Sequence, residues 1–356
     1  MTELFKTASR PNAHPERILL ARLDRLGDVV LSTPVIRHMR KLYPGAFIAF
    51  MVRPENRDIV ENNPDLNEII LYDKAGSEKS ILGSLKFAFS LRKYRFDTAV
   101  ALHPSNRTHL AFFLAGIPRR IGYDRKMSWL LTYRVRHLKH QGARHEADYN
   151  FELLVRSGFK VMTYDRKPYM VIGDHDKMFV DYMQGRLGIG NKLITIHPGA
   201  SCPSKRWPVE RFAEAADILA SKYGADILVV GGKETSELSG CVTSAMKQKV
   251  FDLTGKLSVG ALAEVISRSK IFISNDSGPV HISSAVGTPV ISVFGRKDAG
   301  LSPKRWGPLG PRDVYLHKET GCEVCLAHNC TRGFKCLKAV TVDDVVEAAE
   351  SILGKG

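Results

Sequence analysis

The sequence predicts an α/β protein built as two doubly wound, Rossmann-like domains that face a central cleft. Three observations predict it. The chain has 356 residues, more than one ordinary domain and suited to two of about 170, each able to bury its own core. Short aliphatic and β-branched runs alternate with segments of helical period, the pattern of βαβ units on parallel sheets. The alternation also restarts midway, after a polar stretch containing Pro168 and Gly173.

In the first half, strands are expected over Ile18 to Leu23, Phe47 to Val52, Glu68 to Leu71 and Thr98 to Leu102, with a fainter fifth near Arg120 to Gly122. Helices over Val29 to Leu42 and Ser80 to Arg92 separate them. The linker is placed at Lys160 to Asp176. Beyond it come strands at Leu193 to His197, Asp226 to Val230, Ile271 to Ser274 and Val290 to Phe294, with helices over Val209 to Lys222 and near Thr235 to Lys247. The division reads as residues 1–170 for an acceptor domain, 171–340 for a donor domain, and 341–356 for a closing helix. Open parallel sheets bind ligands outside the carboxyl ends of their strands, so the loops that follow strands are where chemistry belongs.

Composition bounds the function. Hydrophobic residues make up 44% and charged residues 25%, which suits a globular chain and excludes a collagen-like or mainly disordered one. No apolar run approaches the roughly 20 residues a spanning helix needs, and the first sixteen residues lack the apolar core of a secretory signal, so a cytoplasmic protein is expected. The net charge of +15 divides into +11 over residues 1–175 and +4 over the rest. Such asymmetry suggests that the first half meets something anionic: nucleic acid, a membrane surface or a phosphorylated acceptor. A merely soluble basic surface is the alternative.

After the strand ending at Ser274 comes Asn275-Asp276-Ser277-Gly278-Pro279, then a short helical stretch closed by Gly287. Pro279 suits a first helical turn, Asp276 or Ser277 its cap, and Gly278 a close backbone approach. Free N–H groups at such a helix start make a phosphate site, towards which His281 can turn, although capping alone accounts for every residue type. A second segment, His197-Pro198-Gly199-Ala200 followed by Lys205-Arg206-Trp207-Pro208, brings a glycine turn and two cations to another strand end. Lys205 there can neutralise a leaving diphosphate, or be an ordinary surface lysine.

Together these segments resemble glycosyltransferase family 9, the ADP-heptose:lipopolysaccharide heptosyltransferases, whose fold is the two-domain GT-B arrangement. The resemblance rests on Arg25-Leu26-Gly27-Asp28-Val29-Val30-Leu31-Ser32-Thr33-Pro34, on the two segments just quoted, on Leu253-Thr254-Gly255, and on the run from Val280-His281 to Val293-Phe294-Gly295. It implies an inverting transfer that needs neither metal nor cofactor, with Asp28 as general base towards an acceptor hydroxyl. It further implies that Lys205 binds donor phosphate, that Asp276 holds the sugar's hydroxyls, that Ser277, Gly278 and His281 bind the diphosphate, and that Gly199 and Thr254 line the nucleotide pocket. The base and the phosphate ligands fall in opposite halves, so domain closure is expected. The chain departs from the family after Gly295, where Arg296-Lys297-Asp298 replaces the usual Thr-Asp-Pro.

ADP-heptose is therefore the expected donor, and the lipopolysaccharide inner core, an anionic lipid-linked glycan, the expected acceptor. The alternatives are another nucleotide sugar, another glycan or a protein as acceptor, and a non-catalytic nucleotide-sugar binding protein. Residues 101–144 hold nine Lys and Arg against the single acid Asp124. Arg107, Arg119, Arg120, Arg125 and Lys126 are accordingly candidates for gripping acceptor phosphates and carboxylates. With Phe112, Phe113, Trp129 and Tyr133 interspersed, the same stretch reads as a peripheral contact with the cytoplasmic face of the inner membrane. Nucleic acid is ranked last, since no recognised binding motif accompanies the charge. Cys322, Cys325, Cys330 and Cys336 lie within fifteen residues and read either as ligands of a structural zinc or iron ion or as reduced, unliganded thiols. Cys202 and Cys241 read as packing residues.

Overall fold

The protein, represented by a computed structural model that describes residues 14–354, comprises two compact units. One holds the residues up to 138 together with 147–166; the other holds 139–146 and 167 onwards. The segment 139–146 thus packs with the second unit, although its sequence neighbours on both sides belong to the first. The chain passes between units at 166/167, inside a stretch that forms neither helix nor strand until residue 174.

The first unit carries β1 (Arg17–Ala21), β2 (Phe47–Val52), β3 (Glu68–Leu71), β4 (Thr98–Ala101), β5 (Arg119–Tyr123) and β6 (Tyr133–Val135), arranged 3-2-1-4-5-6 with every neighbouring pair parallel. Its helices are α1 (Leu26–Val30), α2 (Thr33–Leu42), α3 (Ile81–Ser90), α4 (Asn106–Leu114) and α5 (Glu146–Arg156), whose first residue groups with the second unit. Residues two apart on the central strands, such as Leu19 with Ala21 and Ala99 with Ala101, share one face and pack against Ala88, Leu91, Ala111 and Phe112 of the covering elements.

The second unit carries α6 (Asp174–Leu187), β7 (Leu193–His197), α7 (Val209–Tyr223), β8 (Asp226–Val229), α8 (Ser236–Ala245), β9 (Val250–Asp252), α9 (Val259–Arg268), β10 (Ser269–Asn275), α10 (Gly278–Val286), β11 (Val290–Val293), α11 (Pro303–Trp306), β12 (Val314–Leu316), α12 (Lys335–Ala339) and α13 (Val342–Leu353). The strands run 12-11-10-7-8-9, again all parallel. Ile194, Ile196, Ile227, Val229, Ile271 and Ile273 form one face, which α7 covers with Phe212, Ala216 and Leu219, and α13 with Val345, Ala349 and Ile352. Trp207 is fully buried in this core and donates its indole N–H to the Val340 carbonyl at 2.9 Å. α13 therefore belongs to the second unit's core.

Two local departures from the sequence expectation have physical reasons. The single helix expected over Val29 to Leu42 is broken into α1 and α2. Pro34 has no N–H for the Val30 carbonyl, and the Thr33 hydroxyl bonds that carbonyl at 2.8 Å instead. The strands β6, β9 and β12 were not expected: each has three residues and lies at a sheet edge, too short for a period to register.

In both sheets the order reverses beside the first strand of the unit. β1 lies between β2 and β4, and β7 between β8 and β10. The loops leaving β1 and β4, and those leaving β7 and β10, therefore diverge to opposite faces and leave a crevice at the strand ends.

Candidate functional site

At the crevice of the second unit, the loop after β7 is fastened to β10 by Asn275. Its buried side chain accepts from the Trp207 N–H at 2.8 Å and donates to the Pro198 carbonyl at 2.7 Å. Gly199 lies in this loop, and a Cβ there would stand 2.4 Å from the Thr235 methyl and 2.9 Å from His197 Nε2, so the close approach admits no side chain.

The clamp delivers Lys205 to Asp276. The ammonium lies 3.1 Å from Asp276 Oδ1, and the guanidinium of Arg296 lies 2.6 Å from Oδ2. Asp276 and Arg296 are both buried, 6% and 4% exposed, and the Arg296 Nε–H has no hydrogen-bond partner among the described residues. Two cations against one carboxylate leave a buried excess of one positive charge. Burial lowers the Lys205 pKa, opposed by Asp276 and assisted by Arg296. A desolvated excess cation with an unspent N–H is chemistry that an anion would complete.

The start of α10 adjoins the same residues. Ser277 occupies the N-cap position, but its side chain does not cap: the hydroxyl is shared with Ser274 at 2.9 Å and His197 Nδ1 at 3.3 Å. The expected cap position thus falls on Ser277, but neither residue caps through its side chain, because the Ser277 hydroxyl is spent on Ser274 and His197 and the Asp276 carboxylate on its cations. Gly278 opens the helix and Pro279 follows it, so the first turn keeps its dipole without a side-chain cap. His281, in the next position but one, is buried, and its Nδ1 meets no hydrogen-bond partner among the described residues. Burial, with help from His145 and Lys205, pushes its pKa down to about 3, and burial pushes His197 down to about 4, so both imidazoles are neutral near pH 7. His145 belongs to the 139–146 segment and hydrogen-bonds the Gly307 carbonyl at 2.9 Å; beside it buried Glu146 binds Lys139 at 2.6 Å and Arg305 at 2.9 Å. Thr254, after β9, donates its N–H to the Asp252 carboxylate (2.8 Å), and its buried hydroxyl has no partner among the described residues.

At the crevice of the first unit, Asp28 lies on α1, just past β1, and is 9% exposed. Its carboxylate accepts from Arg22 at 2.5 Å. Arg22 is fully buried and spreads its guanidinium over Asp24 (2.7 Å), the Leu102 carbonyl (3.2 Å) and Asn150 Oδ1 (3.1 Å). Asp24 also takes His103 Nδ1 at 3.1 Å. One guanidinium therefore orients two carboxylates, one of them against a half-exposed histidine.

Among the expected site residues, Gly199, Lys205, Thr254, Asp276, Ser277, Gly278 and His281 all lie at strand ends of the second sheet, and Asp28 at a strand end of the first. The basic candidates disperse. Arg107 donates to the Glu78 and Lys79 carbonyls (3.0 and 3.2 Å), Arg119 to Ser157 (2.6 Å), and Arg120 to Leu130 and Ile117 (2.7 and 2.5 Å), while Arg125 and Lys126 are exposed. Phe112 is buried in the core, and the Tyr133 hydroxyl is spent on the Arg156 carbonyl, so neither forms an open apolar surface. Sequence reasoning missed Arg22 and the partnership of Arg296 with Asp276. The signal for Arg22 was present, a cation directly after the strand run Ile18 to Ala21 with two acids within six residues.

All four clustered cysteines line one pocket, shared with Ser204, Gly295 and Arg296. Hydrogen bonding from Thr320, then Arg332, lowers the Cys322 thiol; burial raises Cys336. They are free thiols, and among the described residues no three ligating side chains are gathered closely enough to hold a metal ion. Cys241 is exposed, which corrects its reading as a packing residue.

Comparison with known proteins identifies the fold and its relatives. The profile of glycosyltransferase family 9 (heptosyltransferase) matches residues 84–335. Lipopolysaccharide heptosyltransferase 2 of Escherichia coli K12 is 25% identical over 348 residues, covering 95% of this chain and 98% of that protein. A solved family 9 glycosyltransferase from Veillonella parvula superposes with a TM-score of 0.87 at 27% identity, covering 96% of this chain and 98% of that one. The structure of E. coli ADP-heptose lipopolysaccharide heptosyltransferase II gives a TM-score of 0.78 at 22% identity, over 95% and 99% of the two chains.

Proposed function

Because this chain belongs to glycosyltransferase family 9 (heptosyltransferase), we propose that it transfers a heptose from ADP-heptose to the inner core of lipopolysaccharide by an inverting displacement that uses no metal ion. The observation that carries the donor half is the buried Lys205–Asp276–Arg296 cluster with its excess positive charge and unspent N–H, beside a helix start without a side-chain cap. The relatives named lipopolysaccharide heptosyltransferases support this choice of sugar and acceptor.

In this reading the acceptor hydroxyl loses its proton to Asp28 as its oxygen bonds to the anomeric carbon. The bond from that carbon to the diphosphate breaks, and its electron pair leaves on the β-phosphate of ADP. Lys205, Arg296 and the first turn of α10 meet that charge, and neutral His281 donates a hydrogen bond. Displacement from the opposite side inverts the anomeric centre. Asp276 keeps a free lone pair on each carboxylate oxygen for a sugar hydroxyl after its two cations are counted. Gly199 and Thr254 face the nucleotide, and Arg125 and Lys126 the acceptor's anionic groups.

By ligand chemistry the four cysteines, thiols lining one pocket, suit a soft structural ion, and they would have to draw together to hold it, since no three ligating side chains among the described residues stand close enough as they are. A zinc or iron ion held there would add folding energy to the 317–336 segment and take no part in the transfer. Metal content of the purified protein against a Cys325→Ser, Cys330→Ser variant tests it; equal content in both overturns it.

The function is tested by incubating the protein with ADP-heptose and a heptose-deficient core acceptor and following ADP release. Turnover is expected. No turnover with that pair, together with turnover from another nucleotide sugar or onto another acceptor, overturns the assignment.

A further inference from the structure

We infer that the exposed side of α3, extended by Phe113 and Trp129, is a docking surface for a membrane rich in anionic phospholipid. Five large apolar side chains of the first unit stand open to solvent here: Ile81 is 83% exposed, Trp129 69%, Leu82 62%, and Phe89 and Phe113 47% each. They are not scattered. α3 packs on α4, and α4 on the turn that carries Trp129. Hydrogen bonds fix the shared edge, since Arg107 at the start of α4 holds the Glu78 and Lys79 carbonyls just before α3, and neighbouring Asn106 holds the Met127 N–H two residues before Trp129. At the far end Arg92, past α3, holds the Leu114 carbonyl at the end of α4. The two helices therefore lie side by side with like ends together, and the five side chains fall along one surface.

The occupant follows from the charge around them. Leu82, Lys86 and Phe89 recur at the spacing of a single helix face, so a lysine stands within the apolar row. Exposed Lys79, Arg92, Arg125 and Lys126 surround it, and the guanidinium of Arg92 lies 4.7 Å over the Phe89 ring, that of Arg120 5.5 Å over Phe113. Against them, the segments that flank α3 and carry Trp129 hold the acids Asp73, Glu78 and Asp124. Apolar side chains edged by cations match a bilayer interface, where aromatic and aliphatic groups enter the headgroup boundary and Lys and Arg meet phosphates. A second copy of the chain would bring the same cations against themselves, which disfavours it.

The stretch read from sequence as the membrane contact began at residue 101. In the structure its Phe112 and Tyr133 turn away, and α3, outside that stretch, supplies most of the surface. The inference rests on the proposed lipid-linked acceptor for its purpose, and the test separates the two.

The full chain and the variant Ile81→Ser, Leu82→Ser, Trp129→Ser are sedimented with vesicles of phosphatidylcholine alone and of phosphatidylcholine with phosphatidylglycerol. The unaltered chain is expected to bind the anionic vesicles and to release them as salt rises, and the variant to bind at least tenfold less. Its circular dichroism and its rate on a short water-soluble core acceptor should be unchanged. Lys79→Glu, Lys86→Glu, which leaves the apolar groups intact, should weaken binding to anionic vesicles alone. No binding by the unaltered chain, equal binding to neutral vesicles, equal binding by the triple variant, or a dimer that the triple substitution dissociates would each overturn the inference. Failure on vesicles with turnover intact leaves the transferase reading standing; the converse leaves the surface standing.

Discussion

Replacing Arg296 with methionine removes one of the two cations on Asp276 and takes the buried cluster from an excess of one positive charge to neutrality. Lys205 remains 3.1 Å from the carboxylate, so Asp276 is not left unpaired and the fold should survive; the apolar stem of methionine fills much of the arginine's volume. The loss falls on the donor. A hydrogen bond from a charged group contributes about 1.5–3 kcal/mol, so kcat/KM for the nucleotide sugar should fall roughly 10- to 150-fold. The Kd of ADP should rise by a similar factor, because ADP keeps the diphosphate and lacks the sugar. Calorimetric titration with ADP, beside initial rates at varied donor, reads both quantities, and a melting curve checks the fold. Lys205→Met should act in the same direction. An Arg296→Met protein that binds ADP as tightly as the original, while still folded, would refute a diphosphate role and leave the guanidinium as a structural partner of Asp276.

Asp28→Asn should lower kcat by about 10²- to 10⁴-fold with ADP affinity unchanged, as expected of a lost general base; a rate within a few-fold of the original would remove Asp28 from the chemistry. His197 has its pKa depressed by burial from 6.5 to about 4. The unfolded chain therefore binds a proton between those pH values that the native chain refuses. The stability this histidine contributes is complete above pH 6.5 and is lost as pH falls towards 4, by about 3 kcal/mol over the window, and His281 adds to the same trend. Denaturant midpoints measured from pH 7 to 4.5 should fall, and His197→Asn should flatten the slope; parallel curves for the two proteins would contradict the assignment.

Much of the architecture was legible because its signals are local. A run such as Phe47–Val52 is apolar throughout since both faces of a parallel strand are covered, and the Gly and Pro residues around Gly278-Pro279 mark where a strand yields to a helix. The edge strands β6, β9 and β12 were not legible, because three residues that draw their pairing from a neighbour leave no period of their own. The break between α1 and α2 was available in Pro34, read as a motif residue and not as a missing donor.

For the site, sequence by itself supplied the residues that flank the turns: Asp28, Gly199, Lys205, Asp276, Ser277, Gly278 and His281. Only the tertiary structure decided which of them are partners. Arg22 reaches Asp28 and, 128 positions away, Asn150; Arg296 closes on Asp276 from the end of the next strand; Ser277 leaves its helix uncapped to join His197. The Asp276–Arg296 and Ser277–His197 pairings are set by which strands lie side by side, β10 with β11 and with β7, and Asn150 is brought to Arg22 by the packing of α5; such adjacency is a property of the folded sheet and its helices that no stretch of sequence carries by itself. The same holds for the surface. Phe112 and Phe113 are neighbours of one type on one helix, and the sheet packed beneath α4 buries the first and leaves the second open.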